Sequence, residues 1–199
     1  MRMARVKLKR EDGWYHVYNR VAGESGYYPF DDVCKEFMVK ELKRLSEFYF
    51  VDIVSYCIMG NHYHIVLRSR IKEGESYSRE EVVARYNRYY MGKRSELRMN
   101  SGVKEMEAEI DKAAKRMTDV SEFMKDFQQS VTRWYNKVKC PDRRGRLWAD
   151  RFKSTILEGS GNSLWTCVKY IELNPVRAGL VDDPGDYRFC SWGAYSGTG

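Results

Sequence analysis

A chain of 199 residues with 43% hydrophobic and 14% aromatic side chains can bury a full core, which excludes a disordered tail, while 32% charged residues leave a broad solvated surface. A formal charge of +7, set among 15 tyrosines and 5 tryptophans, favours an acidic, base-bearing partner and puts nucleic acid first. No apolar run reaches membrane-spanning length, the start "MRMARVKLKRE" lacks the apolar stretch of a signal peptide, and the five scattered cysteines form no C-x-x-C pair. The expectation is a cytoplasmic protein with reduced thiols and no membrane partner.

Residues 1–12 form a basic arm able to follow a phosphate backbone or enter a minor groove. "GWYHVYNRV" (13–21) alternates aromatic or apolar with polar residues and reads as a first strand, on which His16 is a packed or hydrogen-bonded residue rather than a ligand. "GESGYYPFDD" turns the chain, and Asp31 or Asp32 caps a helix to about Tyr49 that buries Val33, Phe37, Leu42 and Leu45. "FVDIVSYCI" (50–58) and "HYHIVLRS" (62–69) follow as a hairpin around Met59-Gly60-Asn61.

Residues 70–118 are charged and helical in pattern, broken at Ser101-Gly102, and read as a helical insertion with a mostly solvated face. "SEFMKDFQQSVTRWYNKV" is an amphipathic helix capped by Ser121, with Phe123, Phe127, Val131 and Trp134 on its stripe. A basic loop leads into a fourth strand, "FKSTILEG", and "NSLWTCVKYIELN" closes the order as a helix ending at Pro175. Without the insertion this is β-α-β-β-α-β plus a terminal helix. The expected fold is α+β and ferredoxin-like: one domain over 1–199, an antiparallel sheet with helices on one face, and a C-terminal helix that carries a tyrosine.

In "MGNHYHIVL" (59–67), two of the three histidines lie one residue apart on a strand, so His62 and His64 share a face and Tyr63 takes the other. Such a pair is either two unrelated hydrogen-bonded groups or two corners of a metal site that needs a third ligand. Tyr170 and Asn174, four residues apart, share a helix face. An amide oxygen of Asn174 would complete a His-His-Asn site for Mg²⁺ or Mn²⁺. Tyr170 would then stand over a metal-held phosphate as a nucleophile, unless it is simply a tyrosine packing a helix on a sheet. Arg143, Arg144, Arg146, Arg151 and Lys153 cluster around Trp148, supplying cations for phosphates and an indole that either stacks a base or anchors the loop.

"MGNHYHIVL", "RGRLWADRFK" and "VKYIELNPVRAGLV", in this order on such a frame, closely resemble the IS200/IS605-like single-tyrosine (Y1, HUH) transposases, nearest the REP-associated branch. The resemblance covers about residues 13–195 apart from the insertion. It implies a metal motif at His62, Tyr63 and His64, a nucleophile at Tyr170 and a third metal ligand at Asn174, where insertion-sequence relatives often carry Gln. It further implies metal-dependent cleavage and rejoining of single-stranded, hairpin-forming DNA through a 5′-phosphotyrosine bond, by a monomer or a homodimer. The competing readings are a DNA- or RNA-binding module on the same fold that no longer cuts, and a replication initiator or relaxase of the wider HUH group.

Overall fold

The computed structural model describes residues 12–70, 77–90, 103–159 and 161–197; the basic arm, apart from Asp12, and the Ser101-Gly102 break lie outside them. Four strands, β1 (Gly13–Arg20), β2 (Val51–Ile58), β3 (His62–Ser69) and β4 (Lys153–Leu157), pair antiparallel in the order β2-β3-β1-β4. With α1 (Asp32–Phe48) between β1 and β2, and α4 (Val120–Val138) leading to β4, this is the expected ferredoxin-like α+β fold.

Strand alternation sorts the side chains. Tyr15, Val17, Tyr63, Ile65 and Leu67 are buried on an inner face under α1 and α4, where Tyr63 meets Phe127 and Trp148 edge-on. On α1, Leu42 and Leu45 are buried and Phe37 stacks on Trp134 of α4, whereas Val33 is exposed. Val33 sits in the first turn, one residue before Cys34, which is the buried position there. Asp31 caps α1 by accepting the Cys34 amide at 2.9 Å. The cap of α4 is Asp119, which accepts the Ser121 amide at 2.6 Å, so Ser121 lies inside the helix rather than at its cap.

The insertion forms α2 (Arg79–Tyr90) and α3 (Val103–Met117). It is more than a solvated appendage: Val82, Val83, Ile110, Ala113 and Met117 are buried in the same core as the sheet. Phe48 at the end of α1 stacks on Tyr89, and the Phe50 amide bonds to Met117 O at 2.9 Å.

The C-terminal part crosses to the outer face. α5 (Asn162–Glu172) lies over β2 and β3 and is held by Ser55 Oγ donating to Glu172 at 2.8 Å. It stops two residues before the expected Asn174. The Asn174 amide nitrogen donates to Tyr170 O at 2.9 Å, and Pro175, which has no N–H to lose, opens the short α6 (Asn174–Arg177). A 3-10 turn (Pro184–Asp186) and α7 (Ser191–Ser196) follow, with Phe189 to Ser191 laid along β2.

Candidate active site

The outer face of the two central strands carries His16, Tyr18, His62 and His64, because residues on β1 and β3 alternate in step and Tyr18 is opposite His64. The α5 helix brings Tyr170 down on them. Its ring stands edge-on to His64 at a centroid distance of 5.7 Å and to His16 at 6.4 Å. The Arg177 guanidinium lies 5.0 Å from the Tyr170 ring centre. Tyr170 remains 41% exposed while His64 is 9% exposed, so the phenol faces solvent over a nearly buried imidazole.

Each histidine of the pair is tied through one ring nitrogen. Asn61 Oδ1 lies 2.7 Å from His62 Nδ1, which places the proton there and leaves Nε2 its lone pair. His64 Nδ1 lies 2.9 Å from His16 Nε2, leaving His64 Nε2 unengaged by that bond. The His62 and His64 rings are 5.3 Å apart and nearly perpendicular. Burial, together with the neighbouring His16 and His62, pushes His64 down to about 3, and burial also lowers His62 and His16. All three imidazoles are therefore neutral at physiological pH, the state in which imidazole binds metals.

Among the described residues no three His, Cys, Asp or Glu side chains are grouped to hold a metal. A third protein ligand from the described residues would therefore be of another residue type. Asn174 qualifies chemically, since its amide nitrogen is spent on the helix end and its oxygen is the other end of the group. By chemistry alone, His62 Nε2, His64 Nε2 and Asn174 Oδ1 are lone-pair atoms of the kind that bind divalent cations, the imidazoles favouring transition metals and the amide oxygen harder ions such as Mg²⁺ or Mn²⁺.

Beside the histidines opens a cleft of about 750 Å³, whose charged lining residues are Arg20, Lys35 and Lys153, with no carboxylate among the lining. Lys35 is also paired with Asp32 at 3.0 Å. Of the predicted basic cluster, Lys153 alone enters this cleft. Arg151 lines a separate groove along α4, Arg144 and Arg146 are exposed around Gly145, and Arg143 is turned onto Arg146 O and the Tyr135 ring. Gly145 makes that loop possible, with φ at 86°. Trp148 is anchored in the fold, its indole N–H donating to Thr132 Oγ1 at 3.0 Å and its ring packing on Phe30 and Tyr63, and it also lines the groove that holds Arg151.

The site residues missing from the sequence reading are Tyr18, Arg20 and Arg177. The first two were within reach of it: the alternation that pairs His62 with His64 also places His16, Tyr18 and Arg20 on one face of β1. Arg177 carried no such signal, because α6 packs against the site only after the break at Leu173.

A ferredoxin-like sheet with a helix-borne tyrosine set against paired strand histidines is the class that fold and site define. No family model matches the chain, and no curated protein matches it in sequence. Among solved structures, it is similar to a REP-associated tyrosine transposase bound to a REP hairpin, with a TM-score of 0.60 at 13% identity over 98% of this chain and 84% of that one. The resemblance to the REP-associated tyrosine transposases therefore holds in fold. A Deinococcus radiodurans R1 protein described as a transposase aligns over 86% of this chain and 96% of its own, at 13% identity and a TM-score of 0.36, too loosely to carry an argument.

Proposed function

We propose that this chain is a tyrosine transposase that cleaves and rejoins single-stranded DNA at hairpin-forming sites. The observation that carries the reading is Tyr170 standing edge-on over His64 at 5.7 Å, solvent-accessible, and lining with His16, Tyr18 and His64 a cleft that has no carboxylate in its wall. In cleavage, Tyr170 Oη bonds to phosphorus and gives up its proton, and the 3′ oxygen departs as a free hydroxyl. The DNA is left joined to the protein by a 5′-phosphotyrosine bond, which a 3′-hydroxyl can later attack to reseal the strand. His62, His64 and Asn174 would hold a Mg²⁺ or Mn²⁺ ion, which would supply Lewis-acid polarisation of the scissile phosphate. Arg20 and Lys153 draw the strand into the cleft they line, and α5 and β3 together orient Tyr170 towards the phosphate. The likeness in fold to a transposase whose structure holds a REP hairpin supports the hairpin as substrate class.

The test is incubation with a labelled single-stranded hairpin oligonucleotide and Mn²⁺, followed by denaturing electrophoresis. A covalent protein–DNA band that chelation abolishes is the expected result. Tight hairpin binding with no such band under any metal identifies a non-cleaving module and overturns the reading.

A further inference from the structure

We infer that His16 is a positioning residue for the cation site: its Nε2 accepts the proton of His64 Nδ1 and so fixes the tautomer in which His64 Nε2 offers a lone pair. The inference deepens the proposed function and rests on its metal site. The two ring nitrogens are 2.9 Å apart, so one of them carries the shared proton. If His16 carried it, His64 would hold its own proton on Nε2 and could not bind a cation there. Placed on His64 Nδ1, the same proton leaves Nε2 open. His62 is served in the same way by Asn61 Oδ1 at 2.7 Å, so both imidazoles of the pair have an acceptor behind them. Metal-binding histidines commonly need such a partner to set their ring orientation.

His16 is built to hold still. It lies in the middle of β1, a strand paired on both sides, with Val66 and Thr155 as its neighbours in register. Its ring lies edge to edge with that of His64, the centroids 5.1 Å apart and the planes 25° from parallel, and it is stacked on Tyr18 at 5.1 Å and 28°. The contact with His64 is thus the hydrogen bond, while Tyr18 packs the ring, and the two parts are separable by substitution. His16→Phe keeps an aromatic ring on the strand and removes the acceptor. His16→Gln loses the ring and keeps an acceptor, since Gln Oε1 extends to about where Nε2 stood.

The experiment measures Mn²⁺ binding to the DNA-free protein by the loss of the free-ion paramagnetic resonance signal, with thermal melts confirming that each variant folds. Weakening by about 10–100-fold in His16→Phe is expected, the usual effect of losing such a partner. Binding within about threefold of the parent is expected in His16→Gln, by retention of that same hydrogen bond. In the adduct assay, His16→Phe then needs more Mn²⁺ for half-maximal rate yet approaches the parent rate at saturation. Parent-like binding in His16→Phe overturns the role, and so does equal weakening in both variants, because an acceptor restored by Gln would then make no difference. Where His16→Phe does not fold, His16→Leu is read in its place by the same criteria. A parent protein that binds no Mn²⁺ overturns the metal site of the proposed function itself, an outcome separate from the others.

Discussion

Tyr170 faces solvent while His64 below it is nearly buried, and this contrast sets what single substitutions should do. Tyr170→Phe removes only the oxygen that the proposed mechanism uses for attack and keeps the edge-on ring contact with His64. It should abolish the denaturation-resistant adduct and leave hairpin affinity within about twofold, because the hydroxyl acts in the chemical step alone. A persisting adduct would move the nucleophile to another tyrosine. Asn174→Ala should raise the Mn²⁺ needed for cleavage, and His62→Ala or His64→Ala should nearly eliminate cleavage, since a neutral amide is the weaker ligand. Tyr63→Phe should titrate like the parent, as that ring lies on the opposite face against Phe127 and Trp148. Cleavage rate against Mn²⁺ concentration for the four variants reads all of these.

At the scale of the helices, the caps carry the testable energetics. Asp119 closes the first turn of α4, so Asp119→Ala should cost about 1 kcal/mol in chemical denaturation while Ser121→Ala costs much less. Asp31 adds a pH dependence. The hydrogen bond from Lys139 at 2.5 Å holds its carboxyl below the ordinary 3.8, and the Cys34 amide adds to this, against a smaller upward push from burial. Its folded-state pKa thus lies below that of the unfolded chain. The contribution to stability is present above about pH 4 and fades as the pH falls through the lower folded value. Asp31→Ala should flatten stability against pH in that acid range, and a curve unchanged in shape would show that another carboxylate governs it. These caps also show what the sequence could and could not say. Both helices were legible from their apolar stripes, and Asp31 from its position before the α1 stripe. Asp119 and Ser121 both satisfy the cap pattern, and only the backbone turn at Asp119, extended at φ −90° and ψ 110°, decides between them. The end of α5 was missed for a related reason. Pro175 restricts the residue before it, but the Asn174 amide had already closed the helix on the Tyr170 carbonyl.

Across the whole molecule, the order of elements along the chain, the shared face of His62 and His64 and the tyrosine-bearing helix were all readable from residue alternation and spacing. The division of the basic cluster was not, because a run of arginines in sequence carries no information about which side of a sheet each one reaches. That division makes a prediction about the path of DNA. Lys153, in the cleft beside Tyr18 and the histidines, should behave as a phosphate contact, so Lys153→Ala should lower the log–log salt slope of single-strand binding by about 0.7. Arg143→Ala should leave the slope unchanged, since Arg143 is spent on Arg146 O and the Tyr135 ring. The reverse result would route the strand over the 143–146 loop instead of through the cleft.

The segment laid along β2 has a consequence of another kind. β2 is an outer strand, and a free outer strand is a template onto which a second chain can add its own. Here the Ile58 amide is taken by Phe189 O at 2.9 Å, the Tyr56 amide by Ser191 Oγ at 2.6 Å, and the Phe50 amide, at the other end, by Met117 O at 2.9 Å. Between them the strand is irregular at Val54, where the pairing with β3 shifts register. The opposite border, β4, is only five residues long and opens with the charged Lys153. Neither border offers a long, flat row of unpaired backbone groups. In the folded protein, the described borders thus disfavour a second chain adding its strand to this sheet.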